Sequence, residues 1–109
     1  MTAKKSMIYV FWTCRDKMEA KKIIHQLLNK HLIACASIFP EIESIYRWEG
    51  KVEENQETKV ILKTMSNHFD AIQSHIQSEC SYEVPEILQV DISRVNPLYL
   101  SWVIQETSL

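Results

Sequence analysis

Thiols are the side chains with the most versatile chemistry in this 109-residue sequence. Cys14, Cys35 and Cys80 belong to the residue type that acts as a nucleophile or as a soft ligand for copper and zinc. They are odd in number, lie far apart and include no CxxC pair, so we expect neither a disulfide framework nor a structural zinc site. No signature of a cysteine hydrolase surrounds any of them, and we do not expect an enzyme of that class.

The four histidines do not assemble into a metal site by their spacing. His25 and His31 are six residues apart, which places them on different faces of a helix. His68 and His75 share a helical face but would lie about 10 Å apart at 1.5 Å rise per residue, too far for one metal ion. We therefore expect these histidines at the surface.

Composition excludes several other kinds of chemistry. Gly50 is the only glycine, so glycine-rich phosphate loops and dinucleotide fingerprints are absent and no nucleotide cofactor is expected. Twelve basic and fourteen acidic residues give a net charge of −2, which argues against nucleic acid and anionic membranes as partners. The longest apolar run, from Met7 to Trp12, is far shorter than the roughly 20 residues that span a bilayer, and a cytoplasmic protein is expected.

The elements that must position these side chains follow from hydrophobic periodicity. Asp16 and Glu19 form a capping-box-like helix start, and Asn96 with Pro97 starts a second helix in the same manner. The pattern predicts strands at 7–13, 33–39 with a bend or bulge at Pro40, 42–48, 51–64 and 87–92, and helices at 17–30, from Ser66 and from Asn96. The predicted fold class is α+β, a ferredoxin-like βαββαβ sandwich with an additional C-terminal helix, in one domain spanning residues 1–109.

A hairpin with its turn at Glu49 and Gly50 is expected to project beyond this domain. Residues 51–64 would extend about 46 Å as a strand, whereas a compact domain of this size is only about 34 Å across. Ile45, Tyr46 and Trp48 would then lie in water beside unpaired strand edges. The length therefore predicts that the chain assembles with copies of itself through the hairpin.

An RNA-recognition module shares this order of elements. Tyr9 and Phe11 even have the spacing of its stacking aromatics. However, the expected third strand, residues 58–64, contains no aromatic residue. Together with the negative net charge, this argues against RNA binding.

Four motifs resemble those of the CutA divalent-cation tolerance family, and they occur in the same order over about residues 7 to 105. The longest is the hairpin segment from Ser44 to Glu53, and Leu32 to Ala36 is similar to a strand entry of that family. The other three are Leu62-Lys63-Thr64, Tyr82-Glu83-Val84-Pro85-Glu86 and Tyr99-Leu100-Ser101-Trp102. The resemblance implies a ferredoxin-like homotrimer with strands paired between subunits, linked to tolerance of copper and other divalent metals and to their binding, without an enzymatic reaction.

The resemblance also implies a ligand-binding cleft between subunits, lined by Trp48, Lys63, Tyr82 and Glu86. Lys63 and Glu86 either form an ion pair that holds the strands together or present a cation and a carboxylate to a ligand. The family is similar to nitrogen-regulatory signalling trimers, which bind small effectors in such clefts. An alternative function is therefore a signalling or scaffold trimer that binds an anionic metabolite and no physiological metal.

The metal site departs from the family pattern. Some members have a cysteine in the first strand and a His-His-Pro-Tyr run before the Pro-Glu motif, where this chain has Trp12 and the run Glu79-Cys80-Ser81-Tyr82. Cys14 would share the strand face of Trp12, and Cys80 is a soft donor beside Glu79. We therefore predict copper or another divalent metal on Cys14, Glu79 and Cys80, the alternative being two ordinary thiols.

Overall fold

The computed structural model describes residues 5–108 as an α+β fold of one four-stranded sheet and three helices. The elements in chain order are β1 (Met7–Cys14), α1 (Lys17–Asn29), β2 (Cys35–Trp48), β3 (Lys51–Met65), a 3₁₀ turn (Ser66–His68), α2 (Phe69–Glu79), β4 (Ile87–Asp91) and α3 (Pro97–Glu106). The predicted elements are thus present. The main difference is that the helix expected from Ser66 begins with the 3₁₀ turn and becomes α-helical at Phe69.

The sheet has the strand order β2-β3-β1-β4, and every neighbouring pair is antiparallel. Side chains alternate between its two faces. Ile8, Val10 and Trp12 of β1 are completely buried in a core that also contains Ile23 and Leu27 of α1 and Ile72 and Ile76 of α2. A smaller core of Met7, Ala34, Met65 and Val103 fixes α3 against the sheet.

Both predicted helix caps are present. The Asp16 side chain accepts a 2.9 Å hydrogen bond from the Glu19 backbone N–H at the start of α1. Asn96 accepts one of 2.9 Å from the Tyr99 N–H, with Pro97 as the first residue of α3. These bonds satisfy backbone donors that have no partner inside the helix, so the sequence signals locate both helix starts.

β2 and β3 form the long hairpin, and the described molecule measures 45 × 26 × 25 Å. The register shifts between Phe39, which pairs with Lys59, and Ile42, which pairs with Glu57, and this is the irregularity predicted at Pro40. Glu49 (φ 49°) and Gly50 (φ 80°) make the turn, whose two positive φ angles match the right-handed twist of the strands.

The sheet face opposite α1 and α2 remains largely uncovered and apolar. Phe39 of β2 is 47% exposed and Leu88 of β4 is 49% exposed, although both are large hydrophobic side chains. On the hairpin, Ile45 is 67% exposed. Within residues 5–108, no helix combines the length and apolar character needed to cross a membrane.

Candidate functional site

A cavity of about 420 Å³ opens on the uncovered sheet face at the base of the hairpin. Its walls come from the end of β1, from β2 beyond the bulge, from β3 and from the loop between α2 and β4. The lining side chains are Thr13, Ile42, Ser44, Tyr46, Trp48, Glu57, Lys59, Tyr82, Glu83, Val84 and Glu86. Its volume falls within the roughly 300–1,000 Å³ that is usual for small-molecule sites.

The bulge in β2 determines which side chains of the hairpin reach the cavity. Beyond it Ile42 pairs with Glu57, and Trp48 pairs with Lys51. Alternation from Ile42 then places Ser44, Tyr46 and Trp48 on the face that carries Glu57, as the sequence predicts for that set of four. One residue more or fewer at the bulge would turn these side chains to the opposite face.

Glu86, the residue directly before β4, is held by two donors inside the cavity. Its Oε1 accepts hydrogen bonds from Lys59 Nζ (3.0 Å) and from Thr13 Oγ1 (2.9 Å). Burial by itself would raise the pKa of Glu86, but these two bonds outweigh burial and keep that pKa below its usual range. Glu86 is therefore a carboxylate at neutral pH, paired with Lys59.

Glu57 and Tyr82 form a second contact across the cavity. Tyr82 Oη donates a 2.8 Å hydrogen bond to Glu57 Oε1 and so ties the α2–β4 loop to β3. Burial, followed by this carboxylate, raises the pKa of Tyr82, so the phenol keeps its proton. Glu57 is only 9% exposed, and among residues 5–108 no basic nitrogen lies within 4.0 Å of its carboxylate.

The predicted ligand-binding residues are brought together in part. Trp48, Tyr82 and Glu86 all line the cavity, whereas Lys63 lies outside it. Lys63 is buried and donates hydrogen bonds to Ser37 Oγ and, at 3.7 Å, to Cys35 Sγ. Within residues 5–108 of one protomer, Lys63 and Glu86 form no ion pair, because Lys59, four residues earlier on the same face of the strand, occupies the position beside Glu86.

Lys59, Glu57 and Thr13 are cavity residues that the sequence reasoning missed. Lys59 and Glu57 share a face of β3 with Lys63 by simple alternation, so extending that pattern along the strand would have found both. The pairing of Thr13 with Lys59 across β1 and β3 depends on strand register, for which the sequence carries no comparable signal.

The predicted metal ligands are not brought together as one group. Cys80 Sγ donates to Glu19 Oε1 at 3.2 Å, whereas Glu79 Oε1 accepts a 3.2 Å bond from Gln26 of α1. Glu19, from the first turn of α1, thus takes the place predicted for Glu79 beside Cys80. Within residues 5–108, no three side chains of histidine, cysteine, aspartate or glutamate are arranged to hold a metal ion.

Both thiols are protonated at neutral pH. Burial, then the charge of Glu19, raises the pKa of Cys14 to about 12. Burial also raises the pKa of Cys80, and its bond to Glu19 adds to that effect. A metal ion that binds here must displace these protons, so its affinity would rise with pH.

The sequence and the fold both match known proteins. The family model described as "CutA1 divalent ion tolerance protein" matches residues 8–106. The divalent-cation tolerance protein CutA of Pyrococcus horikoshii is 41% identical over 101 residues, which cover 93% of this chain and 98% of that protein. Mouse Protein CutA is 38% identical over 94% of this chain, which spans only 58% of the mouse protein.

Solved structures agree with this match. The crystal structure of CutA1 from Ehrlichia chaffeensis superposes with a TM-score of 0.91 at 33% identity, covering 98% of this chain and all of that one (100%). A structure from Archaeoglobus fulgidus, named as a periplasmic divalent cation tolerance protein CutA, gives a TM-score of 0.91 at 33% identity, with coverage of 94% and 99%.

Proposed function

The chain belongs to the CutA1 divalent ion tolerance family, and on that premise we propose that it is a non-enzymatic homotrimer that binds divalent or copper ions. The proposal includes the ferredoxin-like topology, which the observed strand order supports, and a single domain. The proposal also includes a cytoplasmic location, although one matched protein is named periplasmic.

The uncovered sheet face is the observation that supports assembly. Phe39, Leu88 and Val90 are 47%, 49% and 39% exposed on one face of the sheet, and large apolar side chains exposed together on one face are typical of interaction sites. The hairpin beside them extends the molecule to 45 Å along its longest axis. A closed ring of three copies would cover Phe39, Leu88 and Val90, which are not part of the cavity lining, and would pair the exposed strand edges.

The contact between Cys80 and Glu19, near Cys14, is the single observation that carries metal binding, because a thiol beside a carboxylate offers two ligands to copper or zinc. The cavity is a second source of negative charge. Glu57, Glu83 and Glu86 line it together with Lys59, which is already paired with Glu86. Since neither set completes a metal site among residues 5–108, we expect an ion to take further ligands from water or from a neighbouring copy.

The alternative function, a signalling-type trimer that binds an anionic metabolite, has less support. Lys59 is the cavity residue that would attract an anion, but it is paired with Glu86 at 3.0 Å. Glu57 and Glu83 would repel the same ligand.

The test measures mass and metal binding on the same sample. Light scattering should give three times the chain mass, and titration calorimetry should show Cu(II) or Zn(II) binding that weakens upon Cys80→Ser. Cys35→Ser is the matched control, because Cys35 is likewise half-buried but lies beside Lys63 rather than Glu19. A stable monomer at micromolar concentration would refute the assembly, and equal affinities in both variants would remove Cys80 from the site.

A further inference from the structure

Glu57 is a buried carboxylate without a counter-charge among the described residues. It is 9% exposed, and the partner of its Oε1 is the uncharged phenol of Tyr82 at 2.8 Å. Over residues 5–108, no lysine, arginine or histidine nitrogen comes within 4.0 Å of it. Burying an unpaired charge is costly, so a positive group from outside the protomer would be strongly favoured at this position.

The rest of the cavity increases this preference for a cation. Lys59, the lysine of the cavity lining, has its Nζ 3.0 Å from Glu86, and Glu83 adds a further carboxylate to the lining. The cavity therefore keeps a net negative charge after its internal ion pair is formed.

Aromatic side chains make the cavity more suitable for an organic cation than for a metal ion. Tyr46, Trp48 and Tyr82 line it, and the faces of such rings attract ammonium groups. The volume of about 420 Å³ would accommodate a small organic molecule. By contrast, the cavity carboxylates do not form a group of three that would hold a metal ion within residues 5–108.

We propose that this cavity binds an organic ammonium ion, with its nitrogen against the Glu57 carboxylate and its carbon substituents against Tyr46, Trp48 and Tyr82. This goes beyond metal binding and rests on the proposed function only in that the cavity stays open when the copies assemble. Quaternary and primary ammonium ions share the chemistry required. A primary one would also donate hydrogen bonds to the free lone pairs of Glu57.

Titration calorimetry with the full chain tests the proposal. The probes are choline and its uncharged analogue, in which a tert-butyl group replaces trimethylammonium, and butylammonium paired with butanol. We expect both cations to bind and both neutral analogues to bind at least about tenfold more weakly, since a charge-assisted contact is lost. Stronger binding of butylammonium than of choline would assign a hydrogen-bonding role to Glu57, and the reverse order would favour the aromatic contacts.

Variants locate the binding site. Glu57→Gln keeps the shape and an oxygen for Tyr82 but removes the charge, and it should weaken cation binding by about tenfold or more. Glu54→Gln is its control, because Glu54 is an exposed carboxylate of the same strand outside the cavity lining. Trp48→Leu should also weaken binding. Trp102→Leu is its control and should not, because Trp102 is equally exposed, at 41%, but is not part of the cavity lining.

The outcomes separate this inference from the proposed function. Equal binding of charged and neutral probes, no binding, or unchanged affinity in a folded Glu57→Gln or Trp48→Leu variant would overturn it. A trimer that binds copper but neither ammonium ion overturns this inference alone. A monomer that binds choline through Glu57 upholds it and overturns the trimer.

Discussion

The contact between Tyr82 and Glu57 gives a prediction whose size follows from the structure. Tyr82→Phe removes the hydroxyl that donates to Glu57 Oε1 at 2.8 Å and leaves a carboxylate that is 9% exposed without this donor. Leaving a buried acceptor unsatisfied costs about 1–3 kcal/mol. We therefore expect the free energy of unfolding to fall by that amount.

The assay is urea denaturation at pH 7 with all variants at one protein concentration, because assembly makes apparent stability depend on concentration. Tyr46→Phe is the matched control. The Tyr46 hydroxyl accepts a 2.7 Å bond from Asn55 at the exposed hairpin, so its loss should change stability by less than about 0.5 kcal/mol.

A double-mutant cycle with Glu57→Gln isolates the contact. In the double variant the phenyl ring that replaces the phenol would face a neutral amide rather than a carboxylate, so we expect a coupling energy of about 1 kcal/mol or more between the two positions. Additive effects, or a Tyr82→Phe variant as stable as the Tyr46→Phe control, would refute the reasoning that Glu57 depends on Tyr82.

Two further predictions concern Glu86 and Gly50. Since the pKa of Glu86 is lowered in the folded state, its stabilising effect is present above its unfolded pKa and is lost as pH falls through the folded pKa. Glu86→Gln should therefore lower the free energy of unfolding by up to about 1 kcal/mol at pH 7, a small value because the Glu86 side chain is 40% exposed to solvent. Denaturation curves near pH 3 should show a smaller difference between the variant and the original protein, and an unchanged difference would contradict this prediction. Gly50 has φ +80° and no atom within 4 Å of an added Cβ, so Gly50→Val should cost about 1–2 kcal/mol through backbone strain and weaken assembly in analytical ultracentrifugation. Gly50→Asn is the control and should assemble normally, because Asn tolerates a positive φ. If Gly50→Val also assembles normally, the turn conformation at Gly50 is not required for assembly.

Local interactions explain how much of the fold was predictable. The Asp16 and Asn96 caps, the Pro40 irregularity and the Gly50 turn each depend on residues a few positions apart, so their sequence signals are complete in themselves. The 3₁₀ start before α2 is a departure of one turn, within the usual fraying of helix ends.

The sequence also determined the family membership, because a run such as Ser44 to Glu53 in the hairpin is recognisable without coordinates. Only the tertiary structure decided that Lys59 rather than Lys63 pairs with Glu86, and that Glu19 rather than Glu79 faces Cys80. Those pairs join residues 27 and 61 positions apart. Alternation along a strand or helix tells which face a side chain occupies, but the register between elements determines which partner it meets.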